Sequence, residues 1–77
     1  MDGLTETIIL KYTDFVEYDI ENDRMKLRLM ATTPQGTFFA DIPDEPGAKN
    51  RERRATFNDY VLSAIGMKIE PHEVTIG

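Results

Sequence analysis

The chain has 77 residues, one histidine, no cysteine and a formal net charge of −5. This length predicts a single small domain, residues 1–77, and the lack of cysteine excludes disulfides and Cys/His metal centres. No run approaches the ~20 apolar residues that span a bilayer and the acidic N-terminus does not resemble a secretory signal, so we predict a soluble, cytoplasmic protein without a membrane partner.

The first half of the chain predicts strands. Residues 7–13 are rich in β-branched side chains, and after an interruption at Asp14 residues 15–20 alternate between apolar and polar side chains. Residues 24–31 and 37–42 alternate in the same way, so that each segment has one apolar face. This pattern predicts an antiparallel meander.

Asn22 and Asp23 predict a two-residue turn for the first hairpin. In the resulting register every apolar residue meets an apolar one and every acid meets a base. The predicted pairs are Ile20 with Met25, Tyr18 with Leu27, Val16 with Leu29, Glu21 with Arg24, Asp19 with Lys26 and Glu17 with Arg28.

The second hairpin is predicted to turn at Thr33–Gly36, with Pro34 in the second turn position and Gly36 left-handed. This turn sets a second register. Its predicted pairs are Ala31 with Phe38, Leu29 with Ala40, Leu27 with Ile42 and Arg28 with Asp41.

The two registers together align Phe15, Met30 and Phe39 in a row on the charged outer face of the sheet. Two interpretations remain open. Either the N-terminal segment, the C-terminal strand or a loop covers the row, or the row is an exposed apolar stripe that marks a partner or dimer contact.

One helix is predicted from Asn50 to Met67. Phe57, Tyr60, Val61, Ala64 and Ile65 share one helical face, and Gly66 is placed where a left-handed residue would end the helix. Residues 72–76 alternate and predict a short C-terminal strand, paired with the sheet or with a partner. The expected fold class is α+β: an antiparallel β-meander of three to five strands, packed on one face by a single amphipathic helix.

A basic run lies near the start of this helix. It consists of Lys49, Arg51, Arg53 and Arg54. Three interpretations stay open: a solvated face that offsets the acidic sheet, a contact for an acidic protein, or a contact for nucleic acid phosphates. The acidic chain and the lack of aromatic residues among the bases argue against nucleic acid.

The inventory of catalytic side chains is poor. His72 is the only histidine, and Ser63, the only serine, lies inside the predicted helix rather than on the exposed turn that nucleophilic serines occupy. The alternating acids Asp19, Glu21 and Asp23 resemble the opening of an EF-hand loop, but its later glycine and glutamate are missing. We therefore predict no catalytic, metal or cofactor site and no small-molecule substrate.

The functional prediction is a small non-catalytic interaction or accessory protein that binds a protein partner or self-associates. The candidate surfaces are the Phe15, Met30 and Phe39 row and the basic run. The alternative is a nucleic-acid-associated module that uses the basic run.

Overall fold

A computed structural model describes residues 10–45 and 47–76 of the chain. Its elements are β1 (Lys11–Asp19), β2 (Arg24–Thr33), β3 (Gly36–Pro43) and α1 (Ala48–Gly66). The strands form one antiparallel sheet in the order β1-β2-β3. The predicted α+β meander is therefore confirmed, with three strands in the part of the chain that the structure describes.

The predicted register of the second hairpin is confirmed. The observed pairs include Ala31 with Phe38 and Leu27 with Ile42, and Thr33 lies opposite Gly36 across a two-residue turn. Gly36 has φ 132°, a conformation that glycine adopts without steric cost. The Thr33 hydroxyl donates to the carbonyl oxygen of Gly36 at 2.9 Å, which closes the turn.

The predicted register of the first hairpin is wrong by two residues. Tyr18 lies opposite Met25 rather than Leu27, and Val16 lies opposite Leu27 rather than Leu29. Strand β1 also runs through Asp14 without the predicted interruption. Because side chains alternate with a period of two, this shift leaves each residue on its predicted face but changes its neighbours.

The turn of the first hairpin explains the shift, because four residues rather than two connect the strands. The Asp19 carboxylate accepts hydrogen bonds from the backbone N–H of Asn22 at 3.4 Å and from its Nδ2 at 2.7 Å. Asp23 then adopts a left-handed φ of 50° and accepts a hydrogen bond from the Tyr18 hydroxyl. Aspartate and asparagine favour such turns since their side chains bond to nearby backbone.

The shift also breaks the predicted row of Phe15, Met30 and Phe39. Met30 and Phe39 do face each other, but the residue of β1 opposite Met30 is Thr13. Phe15 lies opposite Arg28 instead. Phe15 and Met30 are diagonal neighbours on the outer face, a relation that in sheets corresponds to about 7–8 Å.

The buried residues of the hydrophobic core come from β2, β3, α1 and the C-terminal segment. Strand β1 has no buried residue. From the helix come Phe57, Val61 and Ala64, whose spacing places them on one face. Val74 closes the core from the C-terminal segment. The sheet contributes Leu27, Leu29, Ala31, Phe38, Ala40 and Ile42.

Helix α1 begins at Ala48, two residues before the predicted start, and directly follows Gly47 at φ 90°. At its end, Lys68 rather than Gly66 takes the left-handed conformation, with φ 58°. The backbone N–H of Ile69 donates to the carbonyl oxygen of Ala64 at 2.9 Å. The left-handed residue therefore comes two positions later than predicted.

The predicted C-terminal strand is reduced to one parallel bridge between Phe39 and Glu73. The backbone N–H of Val74 donates to the carbonyl oxygen of Phe39 at 2.7 Å, and the carbonyl oxygen of His72 accepts from the N–H of Phe39 at 3.5 Å. The outer edge of β3 is therefore contacted at its centre by the C-terminal segment.

The first three residues of the predicted strand 7–13 lie outside the described residues.

Adjacent helix residues provide a test of this core. Val61 is fully buried and Leu62 is half exposed. We expect Val61→Ala to lower the free energy of unfolding by about 2 kcal/mol, since it deletes two buried methyl groups and leaves a cavity. Leu62→Ala, the matched control, should change it by less than about 0.5 kcal/mol. Urea unfolding of both variants checks this, and equal losses would contradict the observed orientation of the helix.

Candidate interaction surface

Strand β1 is exposed on both faces, which distinguishes it from the other strands. Val16 keeps 47% of its surface exposed, although Leu27 directly opposite it keeps only 2%. The reason is the position of α1, whose backbone approaches β2 and β3 but not β1. The strand is thus held in the sheet mainly by its pairing with β2.

The exposed residues on the helix side of this strand form an apolar surface. We call it the helix-side surface, and it continues onto the start of β2, where Met25 lies opposite Tyr18. Each member keeps between 46% and 53% of its surface exposed. Its members are Tyr12, Val16, Tyr18 and Met25.

On the outer face, only Phe15 of the predicted row is a well-exposed large apolar residue. Met30 and Phe39 are half-buried. The guanidinium carbon of Arg28 lies 4.9 Å from the centroid of the Phe39 ring, at cation–π distance. The predicted stripe is therefore interrupted by a charged group that covers part of Phe39.

Arg28 is fixed in this position by Asp41 on β3. Its Nε donates to Oδ1 at 2.7 Å and its Nη2 to Oδ2 at 2.8 Å, a bidentate ion pair. The guanidinium holds the pKa of the Asp41 carboxyl below its usual range, against the opposing effect of partial burial. Lys26 contributes to the same shift from 3.6 Å.

Two acids near the centre of β1 are neutralised by bases of the same chain. Oδ2 of Asp14 lies 2.7 Å from Nη2 of Arg54 on the helix, and Oε1 of Glu17 lies 3.2 Å from Nζ of Lys26. The Asp14–Arg54 pair is the direct polar link between β1 and α1. It lies on the helix side of the strand, whereas Glu17 and Lys26 lie on the outer face.

A cavity of about 280 Å³ lies where β1 stands away from the helix. It is smaller than the clefts of ~300–1,000 Å³ that hold drug-sized ligands. The Asp14–Arg54 pair lies at its wall. The other lining residues are Tyr12, Thr13, Leu29, Met30, Phe57 and Asn58.

The basic run is divided between two acidic partners. Oε2 of Glu45, in the loop before α1, lies 3.7 Å from Nζ of Lys49 and 3.3 Å from Nη1 of Arg53. Arg54 forms its ion pair with Asp14. The helical rotation places Arg51 about 160° from Arg53 and about 60° from Arg54. Three of the four bases thus face a carboxylate of the same chain, which reduces their attraction for an external anion.

The only histidine packs against aromatic residues. Nδ1 of His72 donates to the carbonyl oxygen of Glu73 at 2.7 Å, and Nε2 lies 2.6 Å from the hydroxyl of Tyr60. Its ring meets the edge of the Phe38 ring, with centroids 5.8 Å apart. These contacts fix the C-terminal segment against the core.

Within residues 10–45 and 47–76, no group of three histidine or carboxylate side chains is arranged to hold a metal ion. In those same ranges, no helix has the length and apolar character needed to cross a membrane. Comparisons of the chain with protein-family models, with curated proteins and with solved structures find no significant match.

The sequence-based prediction missed the helix-side surface, because alternation assigns Val16 and Tyr18 to the same face as the core. One signal could have found it. A helix with its side chains is about 10–12 Å wide and strands lie about 4.8 Å apart, so one helix covers about two strands. A meander of three strands with one helix therefore leaves one strand uncovered.

The link between β1 and α1 can be measured with a double-mutant cycle of Asp14→Asn and Arg54→Gln. Both side chains are about half exposed, so we expect a coupling free energy of only about 0.2–1 kcal/mol. It should fall when the ionic strength is raised to about 1 M. Urea unfolding of the four proteins gives the value; Arg51→Gln serves as the control on the same helix. A coupling of zero at low salt would contradict the pair.

Acid titration tests the outer-face pair. The pKa of Asp41 is lowered in the folded chain, so the ionised carboxylate adds to the free energy of unfolding. This stabilisation is complete above the usual aspartate pKa and is lost as the pH falls through the lowered value. We expect Asp41→Asn to be less stable than the parent by about 1 kcal/mol near neutral pH, and this difference to shrink below about pH 4. Glu21→Gln in the exposed turn is the control. A difference that grew on acidification would contradict the lowered pKa.

Proposed function

We propose that this chain is a small non-catalytic interaction module that binds a protein, either a separate partner or a second copy, through β1. The observation that supports it is the exposure of β1 on both faces while the rest of the sheet has a buried side. Apolar side chains such as Val16 and Tyr18 are exposed to water, and covering them with a partner would stabilise the complex.

The backbone of β1 supports the same proposal. In the described residues, the edge of β3 is contacted by the C-terminal segment at Phe39, but no strand pairs with the outer edge of β1. An unpaired edge offers a row of N–H and C=O groups to an added strand. β-Augmentation uses these groups for affinity and the alternating side chains for specificity.

The side chains of β1 define the chemistry of the partner. Phe15 on the outer face and the helix-side surface both favour apolar side chains at alternate positions of the added strand. The acids Asp14 and Glu17 are already neutralised, which removes a repulsive barrier to an approaching strand. Of the predicted row, Phe15 belongs to β1 itself, Met30 on β2 is its diagonal neighbour, and Phe39 lies behind the Arg28 guanidinium.

Nucleic-acid binding by the basic run stays a prediction from the sequence. The ion pairs of Lys49 and Arg53 with Glu45, and of Arg54 with Asp14, argue against it, because a phosphate would have to displace these carboxylates. Cytoplasmic location likewise stays a prediction.

Photo-crosslinking in the cells that produce this chain tests the proposed function. p-Benzoylphenylalanine would replace Val16 on β1 or, as a matched control, Ser63 on the exposed side of α1. We expect a discrete crosslinked species from position 16 and none above background from position 63. Equal crosslinking from the two positions, or none from position 16, would overturn the assignment of β1 as the binding surface.

A further inference from the structure

We infer that the partner of β1 is a second copy of this chain, whose β1 adds to the first in antiparallel orientation. This inference rests on the proposed binding role of β1 and identifies its occupant. Most homo-oligomers are two-fold symmetric, so the same strand must be complementary to itself. The sequence of β1, KYTDFVEYD, meets this condition in one register.

Symmetry limits the registers to a few. A two-fold axis perpendicular to the sheet keeps the same face of both copies upward, so residues opposite each other belong to the same face. The axis must then pass beside a residue that faces its own copy. Near the middle of β1 the candidates are Asp14, Phe15 and Val16.

The register centred on Phe15 pairs the whole strand. Lys11 then faces Asp19 of the second copy, which joins opposite charges, and the pair occurs twice. Tyr12 faces Tyr18, also twice, and Phe15 faces itself on the outer face. Thr13 faces Glu17 and Asp14 faces Val16, so no like charges are opposed.

The two neighbouring registers are worse for identifiable reasons. Centring on Asp14 pairs only residues 11–17 and leaves Asp19 unpaired; it joins Lys11 to Glu17, an acid that already has Lys26 as its partner. Centring on Val16 pairs only residues 13–19 and sets Phe15 against Glu17. The length of pairing, together with the contact between Lys11 and Asp19, therefore favours the register centred on Phe15.

The ion pairs within each copy make this association compatible with an acidic chain. Asp14 and Glu17, the acids nearest the two-fold axis, face Arg54 and Lys26 of their own copy at 2.7 and 3.2 Å. Charged residues on edge strands usually prevent edge-to-edge pairing, but here the central charges are compensated. The remaining charges, Lys11 and Asp19 at the strand ends, become complementary in the dimer.

The dimer would have one six-stranded sheet in the order β3-β2-β1-β1-β2-β3. Both helices would lie on the same face, because the axis is perpendicular to the sheet. The helix-side surfaces of the two copies would adjoin between them, and the Tyr12–Tyr18 pairs would lie beside the cavities at β1. This arrangement makes use of the exposed strand that a single helix leaves uncovered.

Cysteine substitution tests both the dimer and its register, because the chain has no cysteine of its own. The single variants are Phe15→Cys, Asp14→Cys and Val16→Cys. Directly opposed residues have Cα atoms about 4.5–5.5 Å apart, within the disulfide range, whereas residues offset by two positions lie about 7–8 Å apart. In a glutathione buffer we expect a disulfide-linked dimer mainly from Phe15→Cys. A dominant dimer from position 14 or 16 would overturn the register.

Charge exchange gives an independent test that preserves the centre of β1. Lys11→Glu and Asp19→Lys each oppose like charges twice in their own dimers, so sedimentation should show dissociation constants raised roughly tenfold. A mixture of the two variants restores both attractive pairs and should recover dimer formation as a heterodimer. Since Asp19 also bonds to Asn22 in the turn that sets the register of β1, backbone-amide NMR must first show that Asp19→Lys keeps the Tyr18–Met25 pairing. No recovery in a mixture of folded variants would overturn the Lys11–Asp19 pairing.

The failure of this inference can be separated from the failure of the proposed function. An unmodified chain that sediments as a monomer over roughly a hundredfold range of concentration, with no disulfide dimer from position 15, overturns the second copy as the occupant. Under that result, a crosslink from position 16 to a different protein would still uphold the binding role of β1. A crosslink whose mass is twice that of the chain supports the dimer.

Discussion

The width of one helix is the constraint on which the rest of this structure depends. Helix α1 can cover about two strands, and it covers β2 and β3, where the buried residues of the sheet lie. Strand β1 takes part in the sheet through its backbone but not in the core through its side chains. The fold therefore contains a packed core of β2, β3 and α1 and an appended strand that exposes apolar groups such as Val16 and Tyr18 on its helix side.

An exposed edge strand with apolar side chains favours non-specific aggregation. Here the risk is moderated by charge, because Asp14 is paired with Arg54 and Glu17 with Lys26. The same pairs keep these acids from repelling a strand that binds in register. A surface of this kind fits selective protein binding, because the apolar groups supply affinity and the remaining charges restrict the register.

The first turn shows how a local interaction changes a surface several residues away. The hydrogen bonds between Asp19 and Asn22 and the left-handed Asp23 lengthen the turn from two residues to four. That change moves β1 along β2 by two residues, so Phe15 meets Arg28 instead of Met30. The apolar row expected on the outer face is thereby replaced by a Phe15 that stands beside a charged pair.

The sequence by itself determined the α+β class, the three central strands, the faces of their side chains and the register of the second hairpin, where Gly36 restricts the turn. It also determined the helix to within two residues. It could not determine the first register, because a shift by two residues preserves the alternating pattern. Only the tertiary structure decided which strand the helix leaves uncovered and that Arg54 pairs with Asp14, since both depend on contacts between residues distant in the chain. The candidate surface on β1 follows from those contacts, and for that reason Tyr12, Val16 and Tyr18 were not recognisable as surface residues from their spacing alone.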